Sequence, residues 1–306
     1  MILANHGIVS SSGGSAPLLL DTYSGATGAY SLRKLRTAYT GNAIRIRRSS
    51  DNTSQDIGFV NGELDTTSIS NFVGANSGFV SVWYDQSGNG YNFEQSTLNN
   101  QPQLVSGGNL ITKNEKPTIL FDGISEFMTI PTSTFSMAFL HTIGKSFVSV
   151  VGYNRVVNDG FIINNNYGAS ANIGYALNTN TARNIDSFTT RGVSGQATVS
   201  NSTNTTPLTN NNLFIINDEK DNGNATASLR SKIYVNNGSS LNLNTLTNSP
   251  SVNNASHDLT IGASSGGSPK YYYYDGGISQ LIMWNSDQSS NRVGITTDIN
   301  TQYLIY

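Results

Sequence analysis

Cysteine is absent from this 306-residue chain, which excludes disulfides, thiolate metal sites and a cysteine nucleophile. Charge is scarce as well. Lys and Arg number 17 against 19 Asp and Glu, for a formal net charge of −2. No global field of that size gathers nucleic acid or anionic lipid, so neither is expected as a partner. No apolar run approaches the roughly 20 residues that span a bilayer, and membrane insertion is not expected. Met1 to Gly7 lacks both a basic stretch and an apolar core, so no Sec signal is read there. The expectation is delivery by another route, such as assembly into a particle. Glutamate occurs five times, at Glu63, Glu94, Glu115, Glu126 and Glu219. With Ala and Lys also sparse, a long helical bundle is unsupported.

What the chain has in excess is Asn, Ser and Thr, 39, 40 and 30 residues respectively. Aromatic and branched aliphatic residues are spread along the whole length, which argues for a folded, β-rich protein over disorder. Residues 1–20 read as a flexible arm or attachment segment, and residues 21–306 as one domain. An amphipathic helix is predicted after Thr27, with Ala29, Leu32, Leu35 and Tyr39 on one stripe and Gly41 as its stop. Short runs bounded by Gly, Asn, Asp or Ser then predict strands at 43–48, 79–84, 118–121, 147–153, 161–163, 213–217, 233–235, 259–261 and 278–284. Residues 164–212 and 236–258 are low-complexity stretches, read as long loops or edge strands. Ile295, Ile299 and Tyr303 predict a closing helix. The expected class is all-β, a two-sheet sandwich or jelly roll with one N-terminal amphipathic helix and a short C-terminal helix.

Three segments go beyond composition: Gly28–Arg36 with Ile44–Asn52 and Gln55–Ile57; Trp83–Gly90 with Asn100–Gln103; and Lys116–Gly123. Together they resemble the first half of the arabinofuranosidase B-type catalytic domain, a concanavalin A/laminin G-like β-sandwich. Tyr274–Trp284 and Tyr303-Leu304 are similar to the last strands and terminal helix of laminin-G-like jelly rolls. The layout, with its Gly/Ser arm and its ending Ile299–Tyr306, also resembles proteins of tailed-bacteriophage virions.

The arabinofuranosidase resemblance implies two catalytic carboxyl groups, a nucleophilic Glu and an acid/base Asp, as retaining glycosidases require. The counterpart segments here are Gly160–Gly168, which has no carboxylate, and Ile261–Gly267, which offers serines. With no catalytic residues at the matching positions, the expectation is a non-enzymatic virion structural or adhesion protein of the tail, a fibre or the capsid surface. It would sit in the particle, associate with itself and with other virion proteins, and hold host polysaccharide. The alternatives are a secreted arabinofuranosidase-like glycoside hydrolase and a free-standing lectin.

Candidate binding residues follow from chemistry. Sugar rings stack on aromatic faces, which singles out Tyr271, Tyr272, Tyr273 and Tyr274. On a strand, two of these would point inward and two outward. Trp83 and Tyr84 alternate likewise, and these six are the glycan or interface candidates. Asp85, Ser87 and Asn89 have the start of a calcium loop, but the Glu that completes an EF-hand would fall at Ser96. A strand-capping turn is the reading preferred there, and no cofactor is expected. Arg33, Lys34, Arg36, Arg45, Arg47 and Arg48 crowd together, beside Asp51 and Asp56, and are read as an internal ion-pair network or a solvated face in preference to a phosphate or nucleic-acid site. His6, His141 and His257 lack the spacing of a metal site.

Overall fold

In the computed structural model, the described residues are 17–156, 159–166, 173–191, 198–201, 208–240, 251, 253–255, 257–267 and 269–306. Residues 1–16, including His6 and most of the predicted arm, lie outside them. The fold is all-β. Eighteen strands form one large antiparallel sheet, with three short α-helices among the described residues. From one end the sheet runs Thr198–Asn201, Ile185–Arg191, Ile173–Thr179, Gly160–Asn164, Leu259–Ile261, Met128–Ile130, Phe93–Glu94 and Gly78–Trp83. It continues through Gln103–Ser106, Ile119–Asp122, Asp275–Trp284, Lys145–Asn154 and Phe214–Asp221 to Ser231–Val235. Ser231–Val235 comes back into contact with Ile185–Arg191, so the sheet wraps into a nearly closed, barrel-like shape. All nine predicted strands are present.

The inner face encloses the larger core, which includes Val148, Val150, Phe214, Ile216, Leu281 and Met283. Alternate residues of the same strands, Phe147, Val151, Ile215, Ile282 and Trp284, face the other way into a second cluster. Helix Arg292–Tyr303 closes this cluster with Ile295, Ile299 and Tyr303, the three residues that predicted it. The short helix Leu19–Thr22 adds Leu19 and Leu20 to the same cluster. Strand Asp275–Trp284 is therefore buried on both faces, which explains its nearly unbroken apolar run.

The predicted helix at Thr27–Gly41 is not formed. Ala26–Ser31 is a strand paired with Asp275–Trp284, Tyr30 opposite Leu281. Ala29 and Leu35 enter the second cluster while Tyr30 and Leu32 enter the first. Helical spacing of Ala29, Leu32 and Leu35 was coincidental; two-sided burial set the period. A Cβ on Gly28 would also stand 2.9 Å from the Met283 side chain, so the chain is held against the neighbouring strand.

A further helix, beyond the two expected, spans Thr66–Val73. Its signals were there: Asp65 caps it by accepting the Ser68 N–H at 2.9 Å, Ile69 and Val73 bury one face, and Gly74 follows at φ +58°. Asp65→Ala should cost about 1 kcal/mol, measured as a lower urea midpoint with an unchanged m-value.

Candidate active site

Three adjacent strands carry the site. On Ile173–Thr179, Tyr175 and Leu177 point into the main core, so Asn178 faces the opposite side of the sheet. Its cross-strand partners are Phe161 on one side and Asp186 on the other. Paired residues share a face, and Phe161, Asn178 and Asp186 form a row on the outer surface. Tyr272 packs edge-on against Phe161, with ring centroids 5.7 Å apart. The Tyr272 carbonyl accepts the Phe161 N–H at 3.1 Å. Asp159, Gly160, Phe161, Asn178 and Tyr272 enclose a cavity of about 160 Å³. The buried Oδ1 of Asn178 has no hydrogen-bond partner.

Two carboxyl groups lie near this cavity, within range for the charge of Asp159 to act on Asp186. Asp159 is exposed at the cavity rim and accepts the Thr181 N–H at 3.2 Å. Asp186 is half-buried and accepts from the Asn180 Nδ2 at 2.8 Å. Burial raises the proton affinity of Asp186, and the charge of Asp159 adds to it against the Asn180 hydrogen bond. A carboxyl group whose proton affinity is raised, near a second carboxylate and an aromatic wall, is suited to donating a proton to a leaving oxygen.

The two segments where the resemblance looked for carboxylates do come together. Asn164 donates to the Ala263 carbonyl at 2.7 Å and accepts the Ser265 N–H at 2.7 Å. Lys270 ties the same loop by donating to the Ser264 and Ser265 carbonyls. Amides and hydroxyls occupy these segments among the described residues, and Tyr167 and Gly168 lie outside them. Glu126 sits next to this loop: its carbonyl is 3.0 Å from where a Gly262 Cβ would be.

Glu126 is buried, and burial, helped by the charge of Asp122, pushes its carboxyl up to about 8. The folded state thus keeps a proton that the unfolded chain releases near 4.5. That contribution is fully present below 4.5 and is lost as pH rises to about 8. His141, driven down to about 4 by burial, acts in the opposite sense, losing stability as pH falls from 6.5 to 4. Between pH 6.5 and 8 the Glu126 effect stands clear of it. Urea midpoints there should show the protein losing on the order of 2 kcal/mol, and Glu126→Gln should remove most of that slope.

The remaining sequence candidates divide sharply. Tyr271–Tyr274 is not a strand: Asp275 begins one, and Tyr272 has φ +51°. The expected alternation therefore fails. Tyr271 and Tyr272 are exposed, Tyr273 is half-buried, and Tyr274 is buried with its hydroxyl donating to the Tyr153 carbonyl at 2.9 Å. Trp83 lies wholly inside the main core, packed on Tyr30. Tyr84 donates to Asp56 at 2.7 Å.

Asp85 accepts from the Ala29, Ser87 and Tyr91 N–H groups and the Ser87 hydroxyl. Ser87 Oγ also lies 3.2 Å from the Thr27 carbonyl, and Asn89 directs its amide NH₂ at the same oxygen. Asp85, Ser87 and Asn89 thus build a turn that holds the strand Ala26–Ser31, as an Asx turn does. No group of three metal-binding side chains occurs among the described residues.

Five of the six basic residues are bonded within the fold, though only Arg33 and Arg47 are buried. Arg33 pairs with Asp298 at 2.6 Å, Arg45 with Asp56 at 2.8 Å and Arg48 with Asp51 at 2.5 Å. Arg47 donates to Gln101 and Asn52, and Arg36 to the Ser87 carbonyl. Arg33 and Arg36 are not on a helix.

The family model of the catalytic domain of alpha-L-arabinofuranosidase B matches residues 21–126. No curated protein matches the chain. Among solved structures, an arabinofuranosidase complexed with arabinofuranosyl-alpha-1,2-xylobiose is similar over 92% of this chain and 64% of its own, with a TM-score of 0.63 at 13% identity. A GH54 α-L-arabinofuranosidase soaked with a cyclic sulfate inhibitor is similar over the same shares, with a TM-score of 0.56 at 14% identity. This chain therefore spans less than two thirds of the length of those enzymes and shares their fold.

These matches overturn the expectation of a non-enzymatic virion protein. The matched family is a catalytic one, and the two matched structures are arabinofuranosidases. The physical ground of that expectation also fails. Two carboxylate-free segments do not empty the neighbourhood of carboxyl groups, since Asp159, Asp186 and Glu126 stand around them on adjoining strands and loops.

Proposed function

We propose that this protein is a glycoside hydrolase acting on a terminal furanose ring, an α-L-arabinofuranoside, carried by a polysaccharide. The wrapped sheet works as a two-layer, concanavalin A-like sandwich, with the sugar on its outer face. The observation that carries the reading is the Asp159–Asp186 pair beside the aromatic-walled cavity. Asp186 is the proton donor to the departing oxygen. Asp159 is the second carboxylate, acting at the anomeric carbon. Tyr272 and Phe161 give the ring an apolar wall, and the unpartnered Asn178 Oδ1 accepts from a ring hydroxyl. The family match supports the reaction class.

Release of 4-nitrophenol from 4-nitrophenyl α-L-arabinofuranoside tests the reading directly. Turnover in the wild-type protein that falls by at least about a hundredfold in Asp186→Asn is the expected result. A correctly folded protein that releases nothing above the uncatalysed rate overturns it. Tyr272→Ala should raise KM by roughly two- to twelvefold, the loss of one aromatic contact of about 0.5–1.5 kcal/mol, while leaving kcat nearly unchanged.

A further inference from the structure

On strand Phe214–Asp221, Asp218 and Lys220 follow Phe214 and Ile216 at alternate positions, turn inward with them and are buried. Their charged ends are 3.7 Å apart. Lys220 also donates to the Ser231 hydroxyl at 2.8 Å, on the next strand. Burial lowers the proton affinity of Lys220, and Asp218 opposes that. Taking two charges out of water is repaid only when further bonds complete the pair, so such a pair serves better to fix one arrangement of the chain than to stabilise it.

The further bonds to Asp218 cross the seam where the wrapped sheet meets itself. Tyr175 donates its hydroxyl to Asp218 Oδ2 at 2.8 Å, and the Ser187 hydroxyl donates to the same oxygen. Both residues are fully buried. Burial, and then the charge of Asp218, raises the proton affinity of Tyr175, which keeps it a donor. Tyr175 and Ser187 lie on Ile173–Thr179 and Ile185–Arg191, the strands that carry Asn178 and Asp186 on their outer face. Ser187 directly follows Asp186 in the chain. Ladder hydrogen bonds hold those two strands to each other; Asp218 pins both from a strand that pairs with neither.

We infer that Asp218 is a positioning residue of the proposed active site, anchoring the inner face of Ile185–Arg191 so that Asp186 keeps its place on the outer face. The inference rests on the hydrolytic reading. Ser187→Ala and Tyr175→Phe each remove one donor and leave the Asp218–Lys220 pair in place. In each, kcat on 4-nitrophenyl α-L-arabinofuranoside should fall roughly ten- to hundredfold with KM within about twofold, as for a misplaced catalytic group. NMR of the Asp186 carboxyl carbon across pH supplies a readout without turnover. Asp159 is the charged neighbour of Asp186, and the Asn180 hydrogen bond opposes its effect. A loosened strand weakens that bond, so Asp186 should titrate at higher pH in both variants. Adding Asn180→Ala to Ser187→Ala should shift it no further. An unmoved titration, or an unmoved kcat in an active protein, overturns the inference, as does failure of both variants to fold. If the wild-type protein releases no 4-nitrophenol, the hydrolytic reading fails, and the titration alone decides whether Asp218 sets the place of Asp186.

Discussion

Replacing Asp186 with Asn should lower kcat/KM on an aryl arabinofuranoside by roughly 10²–10⁴-fold, the range for loss of a general acid. The substitution is nearly isosteric and Asp186 lies on the outer face of its strand, so far-ultraviolet circular dichroism and the urea midpoint should hardly move. Asp159→Asn should cost a similar factor by removing the second carboxylate. The diagnostic reading is the pH profile. Burial and the Asp159 charge raise the proton affinity of Asp186, and Asn180 opposes them by donating at 2.8 Å. The limb on which activity falls as Asp186 loses its proton should therefore move to higher pH in Asn180→Ala. In the residual activity of Asp159→Asn it should move to lower pH. Opposite shifts from two neighbours are not expected of residues that only support the fold. If the limb stays fixed in both variants, Asp186 is not the acid.

Trp284→Ala should be the most damaging single change to stability, at about 3–5 kcal/mol, the usual cost of truncating a buried large aromatic. Trp284 is fully buried at the end of the strand Asp275–Trp284. Its ring meets Phe147 edge-on at 5.6 Å, and its indole N–H donates to the Tyr23 carbonyl at 3.2 Å. One side chain thus ties strands Asp275–Trp284 and Lys145–Asn154 to the chain just after helix Leu19–Thr22, within the cluster that the C-terminal helix covers. Trp284→Phe keeps much of the apolar contact but loses the hydrogen bond, and should cost clearly less. Urea denaturation followed by circular dichroism separates the two. Equal losses in both variants would mean that the hydrogen bond, and not the packing, dominates.

The parts of the fold legible in the sequence were those whose side chains declare burial. Phe147–Tyr153 and Ile278–Trp284 are apolar because both their faces are covered. Ile295, Ile299 and Tyr303 show helical spacing because only one face of that helix is. The site was far less legible. Asp186 lies within the polar stretch read as loops or edge strands, where Asn, Ser and Thr mask the alternation of Tyr175 and Leu177 against Asn178. Asp159 and Asp186 are 27 positions apart in sequence, and only the pairing of three strands sets them side by side. Glu126 was counted among the five glutamates, yet its raised proton affinity comes from burial that no local pattern encodes. Tyr272 was singled out for its chemistry, and it does line the cavity. Its neighbour Tyr274 was equally eligible by chemistry and is buried.

Strand Asp275–Trp284 also sets the order in which this chain can fold. It pairs with Ala26–Ser31, Ile119–Asp122 and Lys145–Asn154, and its contact of Ala26 with Trp284 joins residues 258 positions apart. Loop-closure entropy must be met before such distant pairings give anything back, so folding is slow for a domain of this size. Until residue 284 has left the ribosome, three earlier strands have a bare edge. During synthesis those edges are where the nascent chain is exposed to strand-to-strand association with its neighbours.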